Sequence, residues 1–251
     1  MKSIMKIDAY LIPVNEKEVH FEKSAVIMID VLRASTTICA ALYNGAKEII
    51  TCETLDKASQ IYNSLSRQSS FLGGERNGLK PTGFNAGNSP LEYTPEKVKG
   101  KTIILTTSNG TKVFRIAKVA KARIIGGFVN ISAVVDYLLT KLYPQIQNIQ
   151  LLCAGNNGRL SYEDTICAGA FINRIREAVP DAEMTDSAHA AEKLFRIHSS
   201  DMNEFLASRE HASLLKNIGF EEDIGLSLTF DKFPVVPLAD NNFIIKRFIE
   251  N

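Results

Sequence analysis

Short runs of apolar residues alternate along the chain with longer segments in which apolar positions recur every three or four residues. The run AVIMI at Ala25–Ile29 has no polar position and predicts a buried strand, followed by a polar turn and a helix near Ser35–Tyr43. Glu48–Thr51 predicts a second strand. Thr54–Ser66 predicts a helix, with Leu55, Ala58, Ile61, Tyr62 and Leu65 at helical spacing. Phe71–Leu72 ends a short strand ahead of the glycine-rich GGERNGLKPTGFNAGNSP, and Thr102–Leu105, Arg123–Ile125 and Ile149–Leu152 are further strands, each followed by a helix-like segment.

This alternation predicts an α/β fold, layered α/β/α, with a mixed or largely parallel central sheet. Three segments, AVIMIDVLRASTTICAAL, KTIILTTSNGTKVFRIA and IQLLCAGNNGRLSYEDTICAGAF, repeat one plan of strand, polar loop and helix. They are expected to bring three loops to one edge of the sheet, where open α/β sheets bind ligands. Beyond Val179 the pattern changes: Asp186–Ser208 and Arg209–Ile218 predict helices, Ile224–Leu238 a strand, and the tail ends in FIIKRF. No linker interrupts the 251 residues, so a single domain with a helical C-terminal elaboration from about Asp186 is expected.

Composition narrows the classes of function. A net charge of +1, without basic runs or interleaved aromatics, argues against a nucleic-acid partner. No apolar run approaches the roughly 20 residues of a membrane span, and the start has Asp8 within its apolar stretch and no cleavage pattern. Four scattered cysteines without a C-x-x-C pair predict reduced thiols in a cytoplasmic protein rather than structural zinc.

Four loops carry the candidate chemistry. In IMIDVLRAST, Asp30 at a strand end can hold Mg²⁺ or act as a nucleophile, and Arg33 can fork onto phosphate or sulfonate oxygens. The plainer reading is a helix capped by Ser35 or Thr36, with Asp30 paired to Arg33. Leu32 fills the second aspartate position of the D-x-D phosphatases, which excludes that mechanism. In FLGGERNGLKPTGFNAGNSP, Glu75 beside Arg76 and Asn77 can place a metal ligand next to an anion clamp, and the flanking glycines let amides approach an anion. In LTTSNGTKVF, Ser108, Asn109, Gly110 and Thr111 stand between a strand and a helix, either as an anion site at the helix start or as a simple cap.

The fourth loop, LLCAGNNGRLSYEDT, offers two chemistries. Cys153 and Arg159 have the C-x₅-R spacing of cysteine-dependent phosphatases, but Leu160 stands where a hydroxyl usually follows the arginine, and the chain has no tryptophan for an acid loop. Glu163 and Asp164 are either metal-binding acids or first-turn acids of a helix capped by Ser161. All four histidines lie outside these loops, so oxygen ligands and Mg²⁺ are expected rather than an imidazole site.

Taken in this order, IDVLRAST, GGERNG, TTSNGT and CAGNNGR–YEDT–CAGA resemble the 2-phosphosulfolactate phosphatase family of the coenzyme M biosynthesis type, over about residues 25–175. The resemblance implies an α/β fold and a Mg²⁺-dependent phosphatase that converts 2-phospho-3-sulfolactate to 3-sulfolactate and phosphate. It carries over Asp30, Glu75, Glu163 and Asp164 as candidate catalytic acids and metal ligands. It also carries over Arg33, Arg76, Asn77, Ser108, Asn109, Gly110, Thr111 and Arg159 as candidate substrate contacts. Two or three of the acids would hold Mg²⁺; a remaining carboxylate would act as base, or Asp30 would attack phosphorus itself. The rival readings are a metal-independent cysteine phosphatase and a non-enzymatic anion-binding protein. A small anionic phosphorylated substrate is the expected partner, with a homodimer as the base-rate assembly.

Overall fold

Strand β2 (Ser24–Ile29) is buried at every position, as a strand covered on both faces must be. It lies within a ten-stranded mixed sheet in the computed structural model, which describes residues 4–14, 19–108 and 110–249. β2 is flanked by β6 (Ala122–Gly126) and β7 (Asn148–Cys153), with Ile27 opposite both Ile124 and Leu151. Beyond β7 follow β1 (Lys6–Tyr10) and the two-residue β8 (Glu183–Met184), so that these five strands run parallel. A second parallel set comprises β3 (Glu48–Cys52), β5 (Thr102–Thr106) and β4 (Ser70–Gly74). The hairpin of β9 (Pro237–Ala239) and β10 (Ile244–Arg247) joins the two sets through antiparallel pairings with β6 and β3.

Each face of the sheet carries its own core, as an α/β/α arrangement requires. On one face Ile27, Ile29 and Leu151 meet Ile166 and Phe171 of α6 (Tyr162–Ala178) and Ala188 of α7 (Asp186–His198). On the other, Val26, Met28 and Leu152 meet Ile38 and Leu42 of α1 (Ala34–Tyr43), Phe114 of α4 (Gly110–Ile116), and Ile103 and Leu105 of β5. Every residue of α1 from Ala34 to Leu42 is buried, the mark of a helix enclosed on all sides. Helix α2 (Leu55–Ser64) covers the outer face of the smaller set through Ala58, against Leu72 and Ile104.

The expected strand ends take their places, but not on one straight edge. Three antiparallel steps separate β3 from β6, so β5 runs opposite to β2 and β7. Sheet twist of about 20–25° per step, summed over the five steps from β5 to β2, turns the two sets through roughly 100–125°. Their carboxyl ends therefore converge over the start of α1.

The C-terminal third departs from the sequence pattern in two places. The helix expected over Asp186–Ser208 breaks at Ser199–Asp201 into α7 and α8 (Met202–Ala207), and the His198 ring stacks on Phe205 across the break, with centroids 3.6 Å apart. The strand expected over Ile224–Leu238 is instead α10 (Glu221–Ser227) followed by irregular chain and the three residues of β9. Three acids in the first turn of α10 favour a helix start, while Pro234 and Pro237 confine the strand that follows. Helix α9 (Glu210–Asn217) matches its expectation to within a residue or so.

Ser161 caps α6, one of the two readings of this stretch, its Oγ accepting the Asp164 N–H at 3.3 Å. Ser161→Ala is expected to lower stability by about 1 kcal/mol, read as a drop in the urea midpoint at unchanged slope. Among the described residues no helix is long and apolar enough to cross a membrane.

Candidate active site

Two Asn-Gly turns frame a cleft of about 190 Å³ where the strand ends converge. After β4, Asn77 (φ 54°) and Gly78 (φ 78°) turn the chain, and Arg76 and Leu79 pair across the turn. After β7, Asn157 (φ 52°) and Gly158 (φ 78°) do the same between Asn156 and Arg159. Positive φ at both central residues is what a type I′ hairpin turn demands, and Asn-Gly is the pair that takes it most readily. Asn77, Gly78, Asn156 and Asn157 all line the cleft.

Asp30 and Glu75 are the carboxylates at its floor, each 7% exposed. Asp30 Oδ1 accepts the Ala34 N–H at 3.2 Å, and its backbone is pinned from both sides by Ser35. A Cβ on Gly110 would stand 2.8 Å from Asp30 Oδ2 and from the Ala34 side chain, so glycine is what lets the start of α4 come so near. Glu75 accepts the Ser108 N–H at 2.6 Å, the Ser108 hydroxyl at 3.2 Å and the Gly78 N–H at 2.9 Å. These bonds tie β4, β5 and the first Asn-Gly turn together. Asn88, 4% exposed, lines the same cleft with a side-chain oxygen that has no hydrogen-bond partner.

The remaining candidates divide. Arg33 lines the cleft, but its guanidinium is engaged: Asp223 lies 2.8 Å away, the Gly78 carbonyl 2.7 Å, and the Phe220 ring 4.2 Å below. Asp223 also accepts the Ser89 hydroxyl at 2.6 Å, so one buried ion pair fastens α10 to the start of α1 and to the glycine-rich loop after β4. Arg76 turns onto the carbonyls of Glu75 and Glu53 and the Thr106 hydroxyl, away from the cleft. Asp164 spends its two oxygens on the backbone N–H groups of Val31 and Gly155 at 2.8 and 2.9 Å, which locks the loops after β2 and β7 to each other. Asn109 lies outside the described residues, and Thr111 lies in α4 with its side chain likewise outside them.

Cys153 is fully buried, and burial together with the charges of Asp164 and Glu163 pushes its thiol well above its usual range. That is the opposite of the environment a thiolate nucleophile needs. Gly155 (φ 63°) and the Asn156–Arg159 pairing shape the C-x₅-R segment into a hairpin rather than an anion cradle around the sulfur.

A residue outside all four loops completes the site. His211 on α9 lines the cleft with Leu214 and Leu215, and its Nδ1 stands 2.8 Å from Glu163 Oε1. A carboxylate oxygen only accepts, so Nδ1 donates and Nε2 is the nitrogen left for a ligand. Burial by itself lowers the affinity of this imidazole for its proton. The hydrogen bond to Glu163, that residue's charge and the charge of Asp30 outweigh burial, holding His211 above its ordinary range. Asp30 is pushed up to about 6, by burial above all and by Glu75 and Glu163, against the pull of His211 and the Ala34 N–H. Asp164 is raised well above the carboxylate range by burial and by Glu163 and Asp30.

Among the described residues no three His, Cys, Asp or Glu side chains gather as a metal-binding group. Mg²⁺ does not require one: it is commonly held by one or two carboxylates, with waters and substrate phosphate completing the shell. Asp30, Glu75 and the unpartnered amide oxygen of Asn88 offer such an oxygen set in one cleft, so the residues present fit a hard divalent ion.

Buried acids, an oriented imidazole and strand-end amides line one small cleft of an α/β protein, at the strand ends where such folds bind ligands. The family model described as 2-phosphosulpholactate phosphatase matches residues 10–242. A probable 2-phosphosulfolactate phosphatase of Thermotoga maritima is 44% identical over 229 residues, 90% of this chain and 94% of its own length. Proteins with the same description from Caldanaerobacter subterraneus and Clostridium acetobutylicum are 36% and 32% identical, over 92% and 96% of this chain and 93% and 100% of their own. The chain belongs to the 2-phosphosulfolactate phosphatase family.

Proposed function

We propose that the protein is a Mg²⁺-dependent phosphatase that hydrolyses 2-phospho-3-sulfolactate to 3-sulfolactate and phosphate, the step its family's description names. The observation that carries the reading is the meeting of Asp30 and Glu75, from different strand ends, on one small cleft. Glu75 and the Asn88 amide oxygen would hold the ion, which leaves Asp30 free to act as a base. When bound, Mg²⁺ would offset charge on the phosphoryl oxygens and favour ionisation of a nearby water.

The protein groups divide the remaining work. A buried carboxylate with affinity for a proton near pH 6 suits a base at neutral pH, and Asp30 accordingly takes the proton of the attacking water. The side-chain amides of Asn77 and Asn157, which line the cleft, orient the phosphoryl group. His211, aligned by Glu163, gives its proton to the ester oxygen as the phosphorus–oxygen bond breaks. Glu75 and Asp164 fix the loops, and the Arg33–Asp223 pair sets the position of the Gly78 turn. The reading includes a cytoplasmic enzyme of one domain, to which the buried free cysteines are suited.

Phosphate release from 2-phosphosulfolactate by the purified chain tests this. Excess EDTA is expected to lower the rate at least about tenfold, with Mg²⁺ restoring it. Undiminished release in EDTA would remove the metal from the scheme, and no release in either tube would remove the substrate.

A further inference from the structure

A second cleft, of about 330 Å³, opens beside the first and shares Asn156 and His211 with it. Its walls bring together two arginines from distant parts of the chain. Arg159 belongs to the second Asn-Gly turn, where its backbone pairs with Asn156 at 2.9 and 3.0 Å. Its exposed guanidinium forms no hydrogen bond or ion pair among the described residues. Arg209 precedes α9 and is held in place. Its Nε donates to the Phe205 carbonyl at 3.1 Å, one Nη donates to the Ser208 hydroxyl at 2.8 Å, and the guanidinium lies 4.5 Å from the Phe205 ring centroid. Of the acids on these walls, Glu163 is bound to His211 and Glu210 is exposed. The lobe thus offers one braced and one uncommitted guanidinium beside an imidazole.

The candidate base faces the first cleft and His211 stands where the two clefts meet, so the two arginines of this lobe have no part in breaking a phosphate ester. The lobe does match a substrate with a second strong anion a few bonds from the ester oxygen. With the phosphoryl group beside Asp30 and Glu75, and His211 at the ester oxygen, the rest of the molecule extends past the shared residues into the second cleft.

We propose that the second cleft is an anion subsite in which Arg159 and Arg209 hold the unphosphorylated acidic group of the substrate, and that these two residues set substrate preference. The proposal builds on the phosphatase reading and adds to it where the sulfonate or carboxylate binds. Guanidinium groups hold either anion through charge-assisted forked hydrogen bonds.

The test compares the whole protein with Arg159→Met, Arg209→Met and Arg209→Lys on 2-phosphosulfolactate, 2-phospholactate and phenyl phosphate. Preference is read as the ratio of kcat/KM for 2-phosphosulfolactate to that for phenyl phosphate. It is expected to fall about 10- to 100-fold in each Met variant, mainly through KM, and to recover in part with Lys. A similar loss on 2-phospholactate assigns the carboxylate to the lobe, and a loss confined to 2-phosphosulfolactate assigns the sulfonate. Unchanged ratios, or equal losses on all three substrates, would overturn the proposal. Titration calorimetry with 3-sulfolactate provides a readout that needs no turnover. Weaker binding by Arg159→Met, whose exposed side chain carries none of the fold, is expected even from a preparation that releases no phosphate. Undiminished binding would overturn the subsite whatever the fate of the phosphatase reading.

Discussion

Asp30→Asn is expected to cut the rate of phosphate release by about 10²–10⁴-fold, the range spanned by loss of a positioned acid or base, while making the protein more resistant to urea at neutral pH. The two effects share one cause. Asp30 is buried among other acids, and its carboxyl is raised from an ordinary 3.8 to about 6. Between these values the folded protein keeps a proton that the unfolded chain has already released, so stability falls as pH rises through the window. The cost is absent below about pH 4 and is complete above about pH 6, on the order of 3 kcal/mol at about 1.4 kcal/mol per unit. Asparagine has the same shape, can still accept the Ala34 N–H, and carries no charge to desolvate. Urea titrations in EDTA should show wild type and variant alike at about pH 4, with the variant ahead by about 2–3 kcal/mol at about pH 7. A gap that ignores pH would refute the electrostatic account, and a variant of normal activity would remove Asp30 from the chemistry. Destabilisation stored at a working residue is the usual trade between stability and activity.

The legible parts of this protein are those that local chemistry decides. AVIMI can only be a covered strand, so the place of Asp30 at its end follows from a short window. The Asn-Gly turns at Asn77 and Asn157 carry an equally local signal, although the sequence reading of the loop glycines is only that they let amides approach an anion. The strand reading of Ile224–Leu238 failed because apolar residues there serve a helix and an irregular return, and the acids ahead of Ile224 were the overlooked helix signal. Partnerships across the chain left no local trace. Arg33 finds Asp223 190 positions away, and Glu163 finds His211 48 positions away. Both partners sit on helices of the C-terminal third, outside the strand–loop–helix plan that organises the rest. His211 lies outside every strand-end loop, although an imidazole is the group suited to supply a cation of adjustable charge among so many acids.

His211 is also where the mechanism is most exposed to test. His211→Ala is expected to lower kcat on 2-phosphosulfolactate by about 10²–10³-fold, because the alkoxide leaving group must gain a proton as its bond to phosphorus breaks. p-Nitrophenyl phosphate releases a stabilised phenolate that needs no such help, so its hydrolysis should fall by about tenfold or less. Glu163→Gln keeps an acceptor for Nδ1 but removes the charge that favours the imidazolium, and should reproduce part of this selectivity. The contrast between substrates is the informative quantity. A histidine that merely lined the cleft beside Leu214 and Leu215 would, when removed, slow both substrates alike, and equal losses would assign His211 to packing or phosphoryl binding. A loss that grows with the basicity of the leaving group identifies the proton donor. It would also explain why a helix from the C-terminal third is brought back over the strand ends: the loops supply carboxylates and amides, and α9 supplies the group that can give a proton away.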